Sequence, residues 1–332
     1  MTRLVRHTPT TDALRYTFGQ HPPVAEVRPG DVLVTSTEDC FGGAVRSVDD
    51  LPSEVCPAFN PVTGPFHVEG AEPGDTLVLH FAAITPARDW AMSATFPHFG
   101  ALTATHTTAM LHPPLEERVW RYDVDVAAGV VRFHARRSGH TVDLPIDPML
   151  GTVGVAPAGG EARATIVPDA HGGNLDTPEL RAGTTVYLGV NVPGALFAFG
   201  DGHARQGQGE ACGVAVETAM DVTVAVDLVK GVSTPWPRFE TDDRLLSIGA
   251  ARPLEDAYRI SQLDLVTWTA ELTGLELLDA YQLVSQAGRA APGNVCDPNY
   301  TMHAAVDKAF LAGVPAYGDV HRRLRATAGE SR

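Results

Sequence analysis

Five short apolar runs, rich in β-branched residues and each fenced by Gly, Pro or Asp, fall within the first 230 residues. They are Asp31–Thr37 (DVLVTST), Asp75–Ile84 (DTLVLHFAAI), Gly129–Ala135 (GVVRFHA), Thr184–Val192 (TTVYLGVNV) and Asp221–Val229 (DVTVAVDLV). Runs of this length and composition form strands, and several of them joined by long connections form a sandwich or barrel core rather than a helical bundle. From Pro253 the period changes: Leu263, Val266 and Ala270 recur at helical spacing. Thr273-Gly274-Leu275-Glu276 reads as a capping box opening a second helix, with Leu277, Leu278, Tyr281, Leu283 and Val284 as its apolar face and Gly288 as its stop. A third short helix is expected over Ala304–Leu311, and a strand or loop over Asn294–His303. The chain thus reads as mainly β: a β-sandwich core with barrel-like and α+β additions, helices concentrated in the C-terminal third. It divides into a β-rich core over 1–230 and an α+β region over 231–332 packed on it.

A formal net charge of −15 repels nucleic acid and anionic membranes, so neither is an expected partner. No apolar run reaches the ~20 residues of a membrane helix, and the first residues lack the apolar core of a signal peptide. Cys40, Cys56, Cys212 and Cys296 form no CxxC pair and no zinc-finger spacing, which suits buried thiols in a reducing compartment. The expected location is cytoplasmic. Sheet edges in such a fold make a homo-oligomer, a dimer foremost, the expected assembly.

The chemistry concentrates in two polar blocks. One is Pro168-Asp169-Ala170-His171-Gly172-Gly173-Asn174-Leu175-Asp176; the other runs Gly200-Asp201-Gly202-His203 to Gly207-Gln208-Gly209-Glu210. The apolar segment between them suits a strand, a turn at Pro193-Gly194 and a second strand, a hairpin that would bring both blocks to one end of a sheet. Asp201 and His203, two apart in an extended segment, face the same way and form half a site for a divalent metal such as zinc. Glu210 is a further ligand or the general base on a metal-bound water. The glycines beside it allow a tight turn.

The stretch from Pro168 to Glu217 resembles the signature region of the acetamidase/formamidase family. NPVTGPFHVEGAEPGDTLVLHF (Asn60–Phe81) and MLGTVGVAPA (Met149–Ala158) resemble further family segments in the same order, and the likeness covers most of Asp31–Leu311. The resemblance implies a β-sandwich core with mixed elements, a divalent metal with zinc foremost, and hydrolysis of small aliphatic amides to a carboxylate and ammonia. It departs at Asn60, where a histidine is common; His67 does not replace it without a different backbone path. Trp90–His112, with His98, His106 and His112, is individual to this chain and could shape the substrate pocket.

These readings assign Asp39, Asp201 and His203 as metal ligands. Asp39 follows a strand end, and the family has an acidic residue at the matching position. His171 joins the catalytic set with Glu210, which takes a proton from water and returns it to the leaving amine. The Gly172-Gly173 turn offers backbone amides to an oxyanion, and Asn174 and Asp176 orient the small amide substrate. Lactam or ester hydrolysis is the alternative within the same electrophile class. A non-catalytic β-sandwich binding module holding calcium is the alternative outside it.

Overall fold

The computed structural model describes residues 2–103 and 115–329, so His106 and His112 lie outside the described residues. Two large sheets dominate. In the nine-stranded sheet the order is Leu4–Arg6, Val32–Thr37, Met220–Val229, Thr76–Pro86, Thr185–Gly189, Arg238–Glu240, Arg244–Ala251, Tyr300–Asp307 and Arg289–Pro292. The second, ten-stranded sheet runs from Thr141–Pro145 through Val130–His134, Arg118–Asp125, Trp90–Thr95, Val216–Glu217, Phe197–Arg205 and Met149–Gly154 to Gly172–Asn174. Val62–Val68 pairs with Phe197–Arg205, and Ala25–Val27 adds to it. Neither sheet closes into a barrel.

Strand Thr76–Pro86 shows why the layers stack as they do. Successive side chains point to opposite faces. Leu77, Leu79 and Phe81 enter the core between the two sheets, where Phe66, Leu150, Phe197 and Phe199 of the other sheet meet them. Val78 faces the opposite way, into a second core with Leu265 and Trp268 of helix Leu254–Thr273, Val284 of helix Leu277–Ala287 and Leu324 of helix Val320–Gly329. A strand covered on both faces needs a near-continuous apolar sequence, and TLVLHFAAI supplies it. Strands from both sides of residue 230 share this sheet. No helix among the described residues is long and apolar enough to cross a membrane.

Three local expectations are corrected. The Thr184–Val192 run and the Phe197–Arg205 strand do not form a hairpin: the first lies in the nine-stranded sheet, the second in the other, and the Pro193-Gly194 turn crosses between layers. Thr273 closes a helix instead of opening one. Its hydroxyl donates to the Thr269 carbonyl at 2.7 Å, and Gly274 follows in the left-handed region at φ 72°. Glu276 caps the next helix with no side-chain bond. Finally, the first half of Ala304–Leu311 is the end of strand Tyr300–Asp307, which hydrogen-bonds to a neighbour on each side; only Lys308–Phe310 turns helically. A short apolar run is ambiguous between the two periods, and pairing decides it.

Candidate metal centre and active site

The two polar blocks meet across a strand that lies between them. Gly172–Asn174 pairs with Met149–Gly154, which pairs in turn with Phe197–Arg205. Thr152 stands opposite both Asn174 and Gly200, so the His-Gly-Gly-Asn and Gly-Asp-Gly-His segments flank one position, Gly151. The Gly151 carbonyl accepts from the amides of Leu175 and Asp176 at 2.9 and 3.1 Å, which fixes the turn carrying Asp176. A Cβ on Gly151 would overlap Asp201 Oδ2 and Asp176 Oδ1 and lie 2.9 Å from His203 Cε1. The three side chains therefore close over a cradle that glycine leaves open.

Five carboxylates, Asp176, Asp201, Glu210, Glu217 and Asp297, are buried around it. His203 Nε2 lies 3.2 Å from Asp201 Oδ1 and 3.3 Å from Glu217 Oε1. Asp176, His203 and Glu210 each present a ligand atom within 4.8 Å of one another, and so do Cys40, Asp201 and Glu217. Asp176 Oδ1, Asp201 Oδ1 and His203 Nε2 are buried without a hydrogen bond. Buried polar atoms of this kind are costly unless something pairs with them.

The rest of the cluster is tied down. Asn174 spends both amide hydrogens on Asp176 Oδ2 and Asp297 Oδ2, each at 2.8 Å. Its Oδ1 accepts from Asn60 at 3.1 Å and from Thr152. Asn60 also donates to Asp201 Oδ2 at 3.0 Å, so the residue that departs from the family pattern is built into the site. Asn294 donates to Asp176 and Asp297, both at 3.2 Å. Gln206 donates to the carbonyls of Asp176 and Gly293 at 2.6 and 3.1 Å, which leaves its oxygen to accept from His203 Nδ1 at 2.9 Å. With Nδ1 carrying that proton, Nε2 is the atom turned to the carboxylates, as a metal-ligating imidazole requires. Asn60, Asp176, Asp201 and Glu210 all adopt positive φ, between 43° and 61°. Such strain in non-glycine residues collects where function demands a geometry.

The electrostatics of the cluster are set by burial and by the repulsion of like charges. Burial and then the negative neighbour Asp201 push Asp176 up to about 7. Burial first, then Asp176, hold Glu210 and Asp297 well above the carboxylate range; burial raises Glu217 too, with His203 opposing. Burial works against the His203 imidazolium, yet Glu217 and Asp201 outweigh it and push it up to about 10. Cys40 is raised by burial and by Glu217 and Asp201. A cluster with this excess of negative charge is stable either with several protons held or with a cation that displaces them. The donor set, carboxylates with an imidazole and a thiol nearby, fits a divalent cation.

Several candidate residues have other engagements. Asp39 is fully buried, but its Oδ1 accepts from the amides of Phe41 and Gly43 at 3.0 and 2.9 Å, and its Oδ2 pairs with Arg88. The neighbouring Cys40 is the residue whose Sγ joins Asp201 and Glu217. Because Arg88 is the ion partner of Asp39, Arg88→Ala strands a buried charge. The expected cost is about 3–5 kcal/mol, to be read from denaturant unfolding of variant and parent. His171 is buried with neither ring nitrogen hydrogen-bonded. Its ring meets Phe18 edge-on at 5.4 Å, and burial, then Arg163, lower it to about 4, a neutral imidazole. Gly172 and Gly173, at φ 98° and 106°, let their strand lie flush: Cβ atoms there would strike the Val153 and Val167 carbonyls. The Gly172 amide already donates to Asp169 at 3.0 Å. His98 is exposed, and His67 faces Glu26 at 3.9 Å.

Sequence reasoning missed Glu217, Asn294, Cys296 and Asp297. The last three come from the loop between strands Arg289–Pro292 and Tyr300–Asp307, where the run PGNVCDPN was a polar signal left unread. Cys296 Sγ donates to Glu210 at 3.7 Å, joining that loop to the Glu210 turn.

A cavity of about 240 Å³ opens onto the cluster, with Asn60, Asn174, Asp201, Glu210, Glu217 and Asp297 on its floor. Layered sheets with a buried acid–imidazole cluster at the base of a cavity define a protein with a pocket for a small organic molecule beside a set of side chains that could ligate a cation. Comparison places it more closely. The acetamidase/formamidase family model matches residues 15–160 and 147–258, and the chain belongs to that family. An acetamidase from Yersinia enterocolitica, known as a crystal structure, is 40% identical with a TM-score of 0.86, covering 93% of each chain. An acetamidase from Bacillus halodurans is 29% identical with a TM-score of 0.83 over 93% of this chain and 99% of that one. The formamidase of Methylophilus methylotrophus is 28% identical over 253 residues, 63% of this chain and 62% of its own length. The chain thus spans under two thirds of the length of the curated relatives it matches.

Proposed function

We propose that the protein hydrolyses the C–N bond of a small amide to a carboxylate and ammonia, with a divalent cation seated in the carboxylate cluster. The observation that carries this reading is the convergence of Asp176, Asp201 and His203 on Gly151, with Asp176 Oδ1 buried without a hydrogen bond and His203 Nε2 turned to the carboxylates of Asp201 and Glu217. Those three residues would hold the cation. A mixed oxygen and nitrogen donor set suits zinc better than calcium, which prefers oxygen throughout. When bound, the cation supplies Lewis acidity, polarising a carbonyl oxygen and acidifying water.

Glu210 carries the proton. It lines the cavity, with a carboxylate oxygen within 4.8 Å of Asp176 and His203, and as a carboxylate it accepts a proton from the attacking water. That proton then goes to the departing nitrogen as the C–N bond breaks. Asn174, with its amide hydrogens committed to Asp176 and Asp297, positions ligands and does not grip substrate. Asn60 has both N–H groups engaged, leaving its carbonyl oxygen as the group it can offer a substrate N–H.

Glu210→Gln keeps size and removes the base. The expected result is a folded protein that retains its cation and loses roughly 10²- to 10⁴-fold in kcat for ammonia release from acetamide. A Glu210→Gln protein that hydrolyses acetamide at the parent rate would remove Glu210 from this role.

A further inference from the structure

We propose, resting on the amidase reading above, that the cavity selects an apolar acyl group larger than formyl or acetyl, an aryl or longer alkyl chain, with Phe59, Phe96 and Phe99 setting the preference. The cavity has two chemically distinct ends. Its floor is the carboxylate cluster, and its wall is built from Phe59, Phe96, Phe99, Ile166 and Val214. Among the described residues that line it there is no lysine or arginine. An acyl group bearing its own carboxylate would bury that charge against Phe59, Phe96 and Phe99 with no cationic side chain among the described lining residues to pair it.

Volume argues for size. A site needs only about 10–15 Å³ of cavity volume to admit one water. A cavity of about 240 Å³ therefore has room well beyond the four heavy atoms of acetamide. With the amide carbon beside Glu210, the surplus space lies against the phenylalanines. Filling it with apolar atoms removes their surface from water, and leaving it to water forfeits that gain.

The wall is pre-formed. Phe41, which is buried, meets Phe59 at 6.5 Å and 72°; Phe59 meets Phe96 at 5.5 Å and 81°; Phe96 meets Phe99 at 6.2 Å and 87°. These successive edge-to-face contacts fix the rings relative to one another. Phe99 in turn rests on Gly213, at φ 90°, where a Cβ would come within 2.5 Å of the ring. Such a wall is stiff enough to discriminate by fit, and an aromatic ring suits it.

The test is kcat/KM for ammonia release by the enzyme with its cation, on acetamide, hexanamide, phenylacetamide and succinamate. Hexanamide and phenylacetamide are expected to exceed acetamide by roughly ten-fold or more, and succinamate to fall below it. Phe96→Ala and Phe59→Ala are each expected to reduce the phenylacetamide-to-acetamide ratio by roughly ten-fold. Should a variant misfold, inhibition of the parent enzyme by phenylacetate against acetate measures the same preference, and phenylacetate is expected to bind more tightly. Acetamide as the best substrate, with rates falling along the acyl series, would overturn this inference and leave the amidase reading standing. Failure to release ammonia from any of these amides would overturn both.

Discussion

Gly151→Ala is expected to reduce amide hydrolysis by at least about 10²-fold while leaving the fold in place. Gly151 has an ordinary strand conformation, so alanine adds no backbone strain. What it adds is a methyl at the position where Asp176, Asp201 and His203 converge. Those side chains come from one strand, Phe197–Arg205, and the turn after Gly172–Asn174, and none can withdraw without breaking the bonds made by Asn60, Asn294 and Gln206. The methyl therefore displaces the ligand atoms by the order of an ångström, a misplacement worth about 10²-fold in rate. Circular dichroism together with cation content and ammonia release checks this. Unchanged activity in a folded Gly151→Ala protein would mean that the reaction does not use the cradle.

Removing divalent cations should make the protein's stability depend strongly on pH. In the unfolded chain the cluster's carboxyls titrate near 4. In the cation-free fold Asp176 rises to about 7, and burial with negative neighbours holds Glu210 and Asp297 higher. Between those limits the folded protein binds more protons than the unfolded one, so its stability falls as pH rises. His203 acts in the same direction: raised to about 10, its contribution is complete below about 6.5 and is lost as pH climbs through 10. The chelated protein is thus expected to melt progressively lower from pH 5.5 to pH 8.5. A cation relieves this by taking the place of the protons. At a thousand-fold excess over its Kd it adds about 4 kcal/mol, on the order of 10 °C in Tm, with the larger gain at the higher pH. Differential scanning calorimetry across that range reads both effects. A Tm insensitive to chelation and flat in pH would contradict the cluster's electrostatics.

How far the site could be read beforehand depended on distance along the chain. Asp176, Asp201, His203 and Glu210 lie on two motif-bearing segments; residue type pointed Asp201, His203 and Glu210 to cation and proton chemistry, whereas Asp176 read as a substrate contact. The glycine at 151 stood in a quoted motif, yet its use, open space beneath three ligands, follows only from the register of strand Met149–Gly154 against its neighbours. Asp297 reaches the site through a loop 123 residues beyond Asn174, and nothing local to PGNVCDPN announces where it lands. Asp39 shows the converse. Its place at a strand end suits a ligand, but Arg88, 49 residues away, claims it, and burial makes that pairing decisive. His171 stands three residues from Asn174 and still turns to Phe18, because Gly172 and Gly173 carry the backbone through positive φ between them.

The fold followed the same rule. Strand Thr76–Pro86 was legible because a doubly covered strand must be apolar along its length. Strand Tyr300–Asp307 was not, since Ala304-Ala305-Val306 carries no period and pairing on both edges settles it. The Thr273–Glu276 motif misled because the same residues that cap a helix start also suit a helix end when glycine follows.

The measurement that bears most directly on the buried carboxylate–imidazole cluster is divalent metal content after exhaustive dialysis, with ammonia release followed in parallel, for the parent protein and for an Asp201→Asn/His203→Gln variant. A stoichiometric cation in the parent, lost together with activity in the folded variant, is the expected outcome. Full ammonia release from parent protein stripped of every divalent cation would contradict it.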